Sequence, residues 1–253
     1  DDSGNIYIAA ADGSFNAHSG GMNFGDTVLK IRFTGNTFQV LDWFTPSNQA
    51  CVNAADMEIG SGGVVQLPGG LGLTVNKEGR VYLLNLANMG KYVAGDTQIP
   101  QQFLAGQNEC YEGLGPDHAE GLDWQRLYGN PSFWNGNVYL APSNGPLRQY
   151  VLQGSNINPS PIAQSPTVTG PRGGSTVVSP AGAGAIVWMY EKSANGNAIL
   201  HAYDATNIGH ELWNSTMNPN DEMGNGNSFG TPVVANGKVF VTFDKALVAY
   251  GLR

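Results

Sequence analysis

The stretch TPVVANGKVFVTFDKALVAYG, residues 231–251, decides the reading of this chain. Asn236-Gly237 sits between two runs in which β-branched or aromatic residues alternate with others. An Asn-Gly pair flanked by such alternation is the strongest short-range signal of a β-hairpin. A second turn at Asp244-Lys245 then opens a third run, ALVAYG. Three consecutive antiparallel strands follow from about twenty residues.

The same element recurs, and a recurring supersecondary unit points to a repeat architecture. Gly, a spacer, Ile or Val and an aromatic follow a polar turn in SGNIYIAA (3–10) and NGNVYLAP (135–142), with AGAIVWMY (183–190) a looser copy. Short strands precede three of the copies: NPSFW (130–134), STVVS (175–179) and TPVVA (231–235). PLRQYVLQ (146–153) and AILHAYDA (198–205) come third, IAQSPT (162–167) and HELWNST (210–216) fourth. Between them, VVQLP, LGLTVNK, RVYLLN and TQIPQQF make another four-stranded unit within 62–104, and NIYIAA, DTVLKIRF and TFQVLDWF make an opening unit of three.

The expected fold is therefore all-β, a β-propeller of four-stranded antiparallel blades. About five blades are expected, near 1–46, 62–104, 129–167, 174–216 and 230–253. The first lacks its inner strand and the last its outer one. Together with the opening Asp1-Asp2-Ser3-Gly4, which is neither a signal peptide nor an initiator methionine, this leads to the expectation that the chain is part of a seven- or eight-bladed ring. Missing N-terminal blades or a second chain would complete it. No helix longer than a turn is expected.

Composition agrees with this reading. The 253 residues include 35 Gly and 14 Pro, so turns are frequent, and only 13% are Asp, Glu, Lys or Arg, against roughly 25% in ordinary soluble domains. A net charge of −8 argues against nucleic acid as a partner, because binding it requires a basic surface. No apolar run approaches the roughly 20 residues of a membrane span. Cys51 and Cys110 have neither CxxC spacing nor clustered histidines, which favours one disulfide over a zinc site. With the sequon at Asn214, it suggests a secreted, extracellular or periplasmic protein.

Here the sequence resembles the pyrroloquinoline-quinone-repeat, or quinoprotein-like, propellers. HAYDATNIGHELWN (201–214) is similar to that repeat's third strand, Gly-containing turn and fourth strand. DTVLKIRF, WFTPSNQ (43–49), EIGSGGVVQLP (58–68), NKEGRVYLLN (76–85) and TPVVANGKVFV resemble a group of secreted, largely uncharacterised bacterial and fungal propellers of this class that extend further at the N-terminus. Quinoprotein alcohol dehydrogenases of the class carry adjacent cysteines and a calcium site. Cys51 and Cys110 are not adjacent, and Thr206-Asn207-Ile208-Gly209 carries two extra residues before its glycine. The resemblance thus implies the scaffold, and a sugar or alcohol dehydrogenase using pyrroloquinoline quinone (PQQ) and calcium is the alternative to a binding module. A structural extracellular component is a third reading.

In a propeller, loops joining second to third strands and blade to blade open on one face. Here they are 11–25, 45–61, 105–129 and 217–230, all long, and long loops on a rigid scaffold are where binding groups concentrate. Their carboxylates, amides and aromatics suit sugar hydroxyls and ring faces, or a hard cation such as calcium. A carbohydrate or protein ligand is expected, with Asp56, Glu58, Lys77, Arg172, Trp124, Asp221 and Asn227 as candidates. Asp56 and Glu58 lie two apart on an extended segment and so face one side, with Lys77 and Arg172 as candidate partners. Asp117, Glu120 and Asp221 are candidate metal ligands. His201, on a strand with Asp204, is expected to be structural. The two cysteines fall in successive blade-to-blade loops, so a Cys51–Cys110 disulfide is expected to staple neighbouring blades.

Overall fold

The computed structural model describes residues 1–106, 110 and 125–251. Over these described residues it is all-β, with five antiparallel sheets each built from strands consecutive in sequence, and its fold class is the β-propeller. The chain divides into two compact units, residues 1–121 with 154–156 and residues 122–153 with 157–253.

The first unit holds two sheets. β1 (Asn5–Ala9), β2 (Val28–Phe33) and β3 (Phe38–Phe44) form a three-stranded sheet. After helix α1 (Gln49–Ala54), the strands β4 (Val65–Leu67), β5 (Leu71–Val75), β6 (Arg80–Asn85) and β7 (Gln101–Leu104) form a four-stranded one. Every residue of β5 is buried, as a strand covered on both faces must be. Val28 and Phe44 of the first sheet pack with Tyr82 and Leu84 of the second, around Ile59 and Met89. A fully buried side chain of this size contributes about 1.5–3 kcal/mol.

The second unit holds three sheets. β8 (Ser132–Trp134), β9 (Asn137–Leu140), β10 (Pro146–Gln153), β11 (Asn156–Ile157) and β12 (Ala163–Val168) make the first. β13 (Gly174–Ala181), β14 (Gly184–Lys192), β15 (Ala198–Asp204) and β16 (Asn207–Asn214) make the second. β17 (Val233–Ala235), β18 (Lys238–Phe243) and β19 (Ala246–Gly251) make the third.

Strand β14 shows why such sheets stack. Its period-two alternation sends Val187 and Met189 into one cluster, with Tyr139, Leu147 and Tyr203. Trp188 and Tyr190 go to the opposite cluster, with Leu200, Val239 and Val241. Both faces of the central sheet are thereby used. Close approach also requires small residues: a Cβ on Gly129 would lie 2.1 Å from the carbonyl oxygen of Gly174.

The hairpin turns follow the sequence reading. Asn135-Gly136 and Asn236-Gly237 both take positive φ at each residue, as a type I′ turn requires. Four local expectations are corrected. α1 runs for six residues, longer than the single turn allowed for. β10 adds a two-residue hairpin partner, β11, so the middle sheet has five strands rather than four. The fourth strand drawn over TQIPQQF starts only at Gln101, because Pro100 has no N–H to give a ladder. Asn207, Ile208 and Gly209 belong to β16 rather than to a turn, and register shifts against β15 absorb the extra residues.

Candidate functional site

Three connections of the first unit bring ionisable side chains together. Asp12 comes from the β1–β2 loop, Asp56 and Glu58 from the β3–β4 loop and Lys77 from the tight β5–β6 turn. The chain direction there is set by backbone contacts. The Asp26 N–H donates to the Ala11 carbonyl (3.0 Å), and Asn53 Oδ1 accepts the Gly13 N–H (2.8 Å), so the two loops are tied side by side. Asp56 takes a positive φ of 53°, a conformation that Asp tolerates better than most residues.

The Lys77 ammonium lies 2.8 Å from Asp56 Oδ1 and 2.6 Å from Glu58 Oε2. Carboxylate oxygens of Asp12, Asp56 and Glu58 lie within 4.8 Å of one another. Lys77 and Glu58 are largely covered while Asp12 and Asp56 are exposed, so the group is a half-buried site open on one side.

The environment divides the three acids. Burial, then the negative charges of Glu58 and Asp56, push Asp12 up to about 6. Burial likewise raises Glu58, only partly offset by Lys77. Asp56 is held below the usual carboxylate range, since the Lys77 hydrogen bond and its companions outweigh burial. Lys77 is raised, because hydrogen bonds to Asp56 and Glu58 outweigh burial. The site therefore offers a fixed ammonium donor, a permanent carboxylate acceptor and, in Asp12, a carboxyl that carries a proton into mildly acidic solution.

A fourth acid lies behind them. Asp26 is fully buried at a positive φ of 53°, and its Oδ2 accepts from Gln49 Nε2 at 3.1 Å. Burial pushes its carboxyl up to about 7, with the charges of Asp12 and Glu58 acting the same way. The β1–β2 loop also carries Phe15, which stacks on His18 with centroids 5.0 Å apart and lies 5.4 Å from Tyr92. His18 and Tyr92 are exposed, so this unit presents ring surface as well as charge.

The grouping fits a resident divalent cation poorly. Two of its three carboxylates are already committed to Lys77, and a cation would have to displace that ammonium. Nor do the cysteines form the adjacent pair that marks the dehydrogenases. Cys51 and Cys110 are joined to each other, with Cα atoms 6.1 Å apart.

None of the remaining described candidates belongs to this group. Arg172 is in the second unit, 5.7 Å over the ring of Tyr128. Asn227 is held by its backbone, its N–H donating to Tyr190 Oη (2.9 Å) and its carbonyl accepting from the same hydroxyl (3.2 Å). The Asp221 carbonyl accepts from Tyr250 (2.6 Å). Trp124, Asp117 and Glu120 fall outside the described residues. Asn214 Oδ1 accepts from the Thr216 amide and hydroxyl, while its amide nitrogen donates to Glu211 (3.1 Å). His201 is buried, bonded at 3.1 Å to Glu191 and 2.7 Å to Glu211, whereas Asp204 bonds Thr206 instead.

Sequence reasoning paired Lys77 with Asp56 and Glu58 but did not add Asp12 or Asp26 to them. The Asp12-Gly13 and Asp26-Thr27 pairs at strand ends were the only available signals, and both also read as ordinary turn residues.

No known protein family and no curated protein matches the chain in sequence. Solved structures do. The WD40 domain of coronin from Toxoplasma gondii aligns over 89% of this chain and 50% of its own, with 9% identity and a TM-score of 0.57. Sqt1 from Saccharomyces cerevisiae aligns over 90% and 53%, with 14% identity and a TM-score of 0.52. A europium-containing methanol dehydrogenase aligns over 94% and 47%, with 13% identity and a TM-score of 0.49. The chain spans about half the length of each of these structures. At such identities the likeness shows the fold alone.

Proposed function

We propose that the chain is a secreted binding module that takes a carbohydrate on the loop face of its first unit. The observation that carries this is the Asp12, Asp56, Glu58 and Lys77 grouping, three acceptors and one strong donor held within hydrogen-bonding reach of a single small ligand. A sugar hydroxyl both donates and accepts, and neighbouring hydroxyls on one ring need such a mixture of fixed partners. The exposed rings of His18 and Tyr92 beside Phe15 supply the apolar faces on which sugars stack. Secretion is supported by the Cys51–Cys110 disulfide, since such bonds persist in oxidising compartments.

Calorimetric titration of the chain with a panel of neutral oligosaccharides tests the reading. A binder is expected whose affinity falls at least tenfold in Lys77→Met and Asp12→Asn, with thermal unfolding confirming that both variants are folded. Binding that neither variant weakens would overturn the site. Reduction of a redox dye with an alcohol or sugar after loading with PQQ and calcium would replace this reading with the dehydrogenase.

A further inference from the structure

A cleft in the second unit carries the opposite charge. It is shallow and open to solvent, and is lined by Arg172, Ser175, Tyr190, Glu191, Lys192 and Phe229, with glycines between them. Neither Arg172 nor Lys192 forms an ion pair with a described residue. The one carboxylate of the lining, Glu191, is spent on His201 and the Gly170 N–H, so Arg172 and Lys192 face the cleft with no acidic partner among the described residues.

The aromatic wall is organised as well. The Arg172 guanidinium lies 5.7 Å over the Tyr128 ring, which covers one of its faces and leaves its exposed N–H fork for an anion. Tyr128 in turn lies 5.6 Å from Phe229. Phe229 is 57% exposed and sits at φ 64°, a region in which a bulky residue is a true outlier. Its surroundings impose that conformation. The preceding segment is tied by the reciprocal Asn227–Tyr190 bonds, and the following Gly230 packs so tightly that a Cβ would lie 2.5 Å from the Tyr190 ring. Strained residues held by an over-determined frame cluster at ligand sites, and here the strain exposes an apolar ring beside a guanidinium.

We propose that this cleft is a binding site for a carboxylate-bearing sugar, a hexuronate unit at the end of or within an acidic oligosaccharide. The carboxylate pairs with the Arg172 fork, the geometry in which guanidinium excels. The apolar face of the ring lies on Phe229, and Ser175 and Lys192 meet hydroxyls. An acidic peptide is disfavoured because the backbone N–H groups of Gly173 and Gly174 are already spent on Gly170 and Ala141. The cleft thus offers chiefly side chains and a ring face, where strand addition would need free backbone donors.

The site shares no residue with the grouping around Lys77, so the two readings fail separately. The test is titration of the full chain with trigalacturonate, its neutral counterpart trigalactose and a Glu-rich peptide at two salt concentrations. Trigalacturonate is expected to bind, more weakly at high salt, and to lose at least tenfold affinity in Arg172→Gln and in Phe229→Gly. The second of these relieves the backbone strain and should remain folded, which thermal unfolding checks. Absence of trigalacturonate binding, or binding that Arg172→Gln leaves unchanged, overturns the proposal. Equal binding of trigalactose overturns the role of the carboxylate, and tighter Arg172-dependent binding of the peptide overturns the sugar.

Discussion

The carboxylate of Glu78 accepts the backbone N–H of Cys110 at 2.7 Å. Glu78 is completely buried in the β5–β6 turn, and it gathers three further donors: Asn48 (3.1 Å), Asn76 (2.9 Å) and Arg80 (3.4 Å). A buried carboxylate is tolerable only when so many donors replace its lost water. Glu78 therefore fixes one end of the Cys51–Cys110 disulfide, while its neighbour Lys77 organises the carboxylates.

Glu78→Gln should expose this role. An amide of the same shape turns two N–H donors toward groups that are themselves donors. Charge-assisted hydrogen bonds are worth about 1.5–3 kcal/mol each, so a loss of roughly 2 kcal/mol or more is expected in urea unfolding, with faster reduction of the disulfide by dithiothreitol. An unchanged midpoint and reduction rate would remove Glu78 from this account.

The disulfide closes a 59-residue separation. The chain-entropy treatment gives about 4 kcal/mol for a loop of this size, and engineered or removed bonds commonly show somewhat less. Cys51→Ser with Cys110→Ser should lower stability by about 2–4 kcal/mol in denaturant titration. Mass spectrometry of native protein treated with iodoacetamide should find no alkylated thiol until a reductant is added.

Asp26 sets a pH dependence. Its carboxyl is raised from 3.8 to about 7 in the folded chain, so between those values the folded state holds a proton that the unfolded state has released. Stability from this group is complete below the unfolded value and is lost as pH rises through about 7. Asp26→Asn keeps the side-chain shape, and Asn also accepts a positive φ. The variant should melt higher than the parent at pH 8 and show a flatter melting-temperature profile between pH 4 and 8. An identical profile would contradict the assignment.

His201 acts in the same direction for a different reason. It is raised because hydrogen bonds and the charges of Glu191 and Glu211 outweigh burial, so the cationic form is favoured between two acids. Its contribution is full below the unfolded histidine value of about 6.5 and fades as pH passes the higher folded value. His201→Gln should cost about 3–5 kcal/mol at pH 6, because a buried ion pair is broken and its acids are left behind. The deficit should shrink at high pH, and a pH-independent deficit would show that the imidazole is neutral in place.

Much of the fold was visible in local pattern. Asn135-Gly136 and Asn236-Gly237 announced their hairpins because few other pairs accept two positive φ values. The alternation in AIVWMY matched β14 because each face of a strand reports its own neighbour. The disulfide was legible because only two cysteines exist. The β7 start and the register shifts of β16 were not, since each depends on where a partner strand allows hydrogen bonding. His201 was placed correctly as a structural residue, but its partners were not: Glu191 and Glu211 face it from the two flanking strands.

The candidate site shows the same division. Asp56 and Glu58 were expected to share a side by the alternation of an extended segment, but Asp56 lies at a positive φ, and the two meet because both bond Lys77. Lys77 could be offered as their partner. That Asp12 joins them, that Asp26 lies buried behind them, and that Arg172 rests on Tyr128 beside a strained Phe229 were decided by tertiary structure alone.

Strands, turns and the single cysteine pairing are set by near neighbours and by composition, so the order of residues determines them. The charge and burial of a site depend on which loops the sheets carry side by side. That is decided by packing between residues distant in the chain, where a few ångströms separate a solvated turn carboxylate from a buried proton-holding acid.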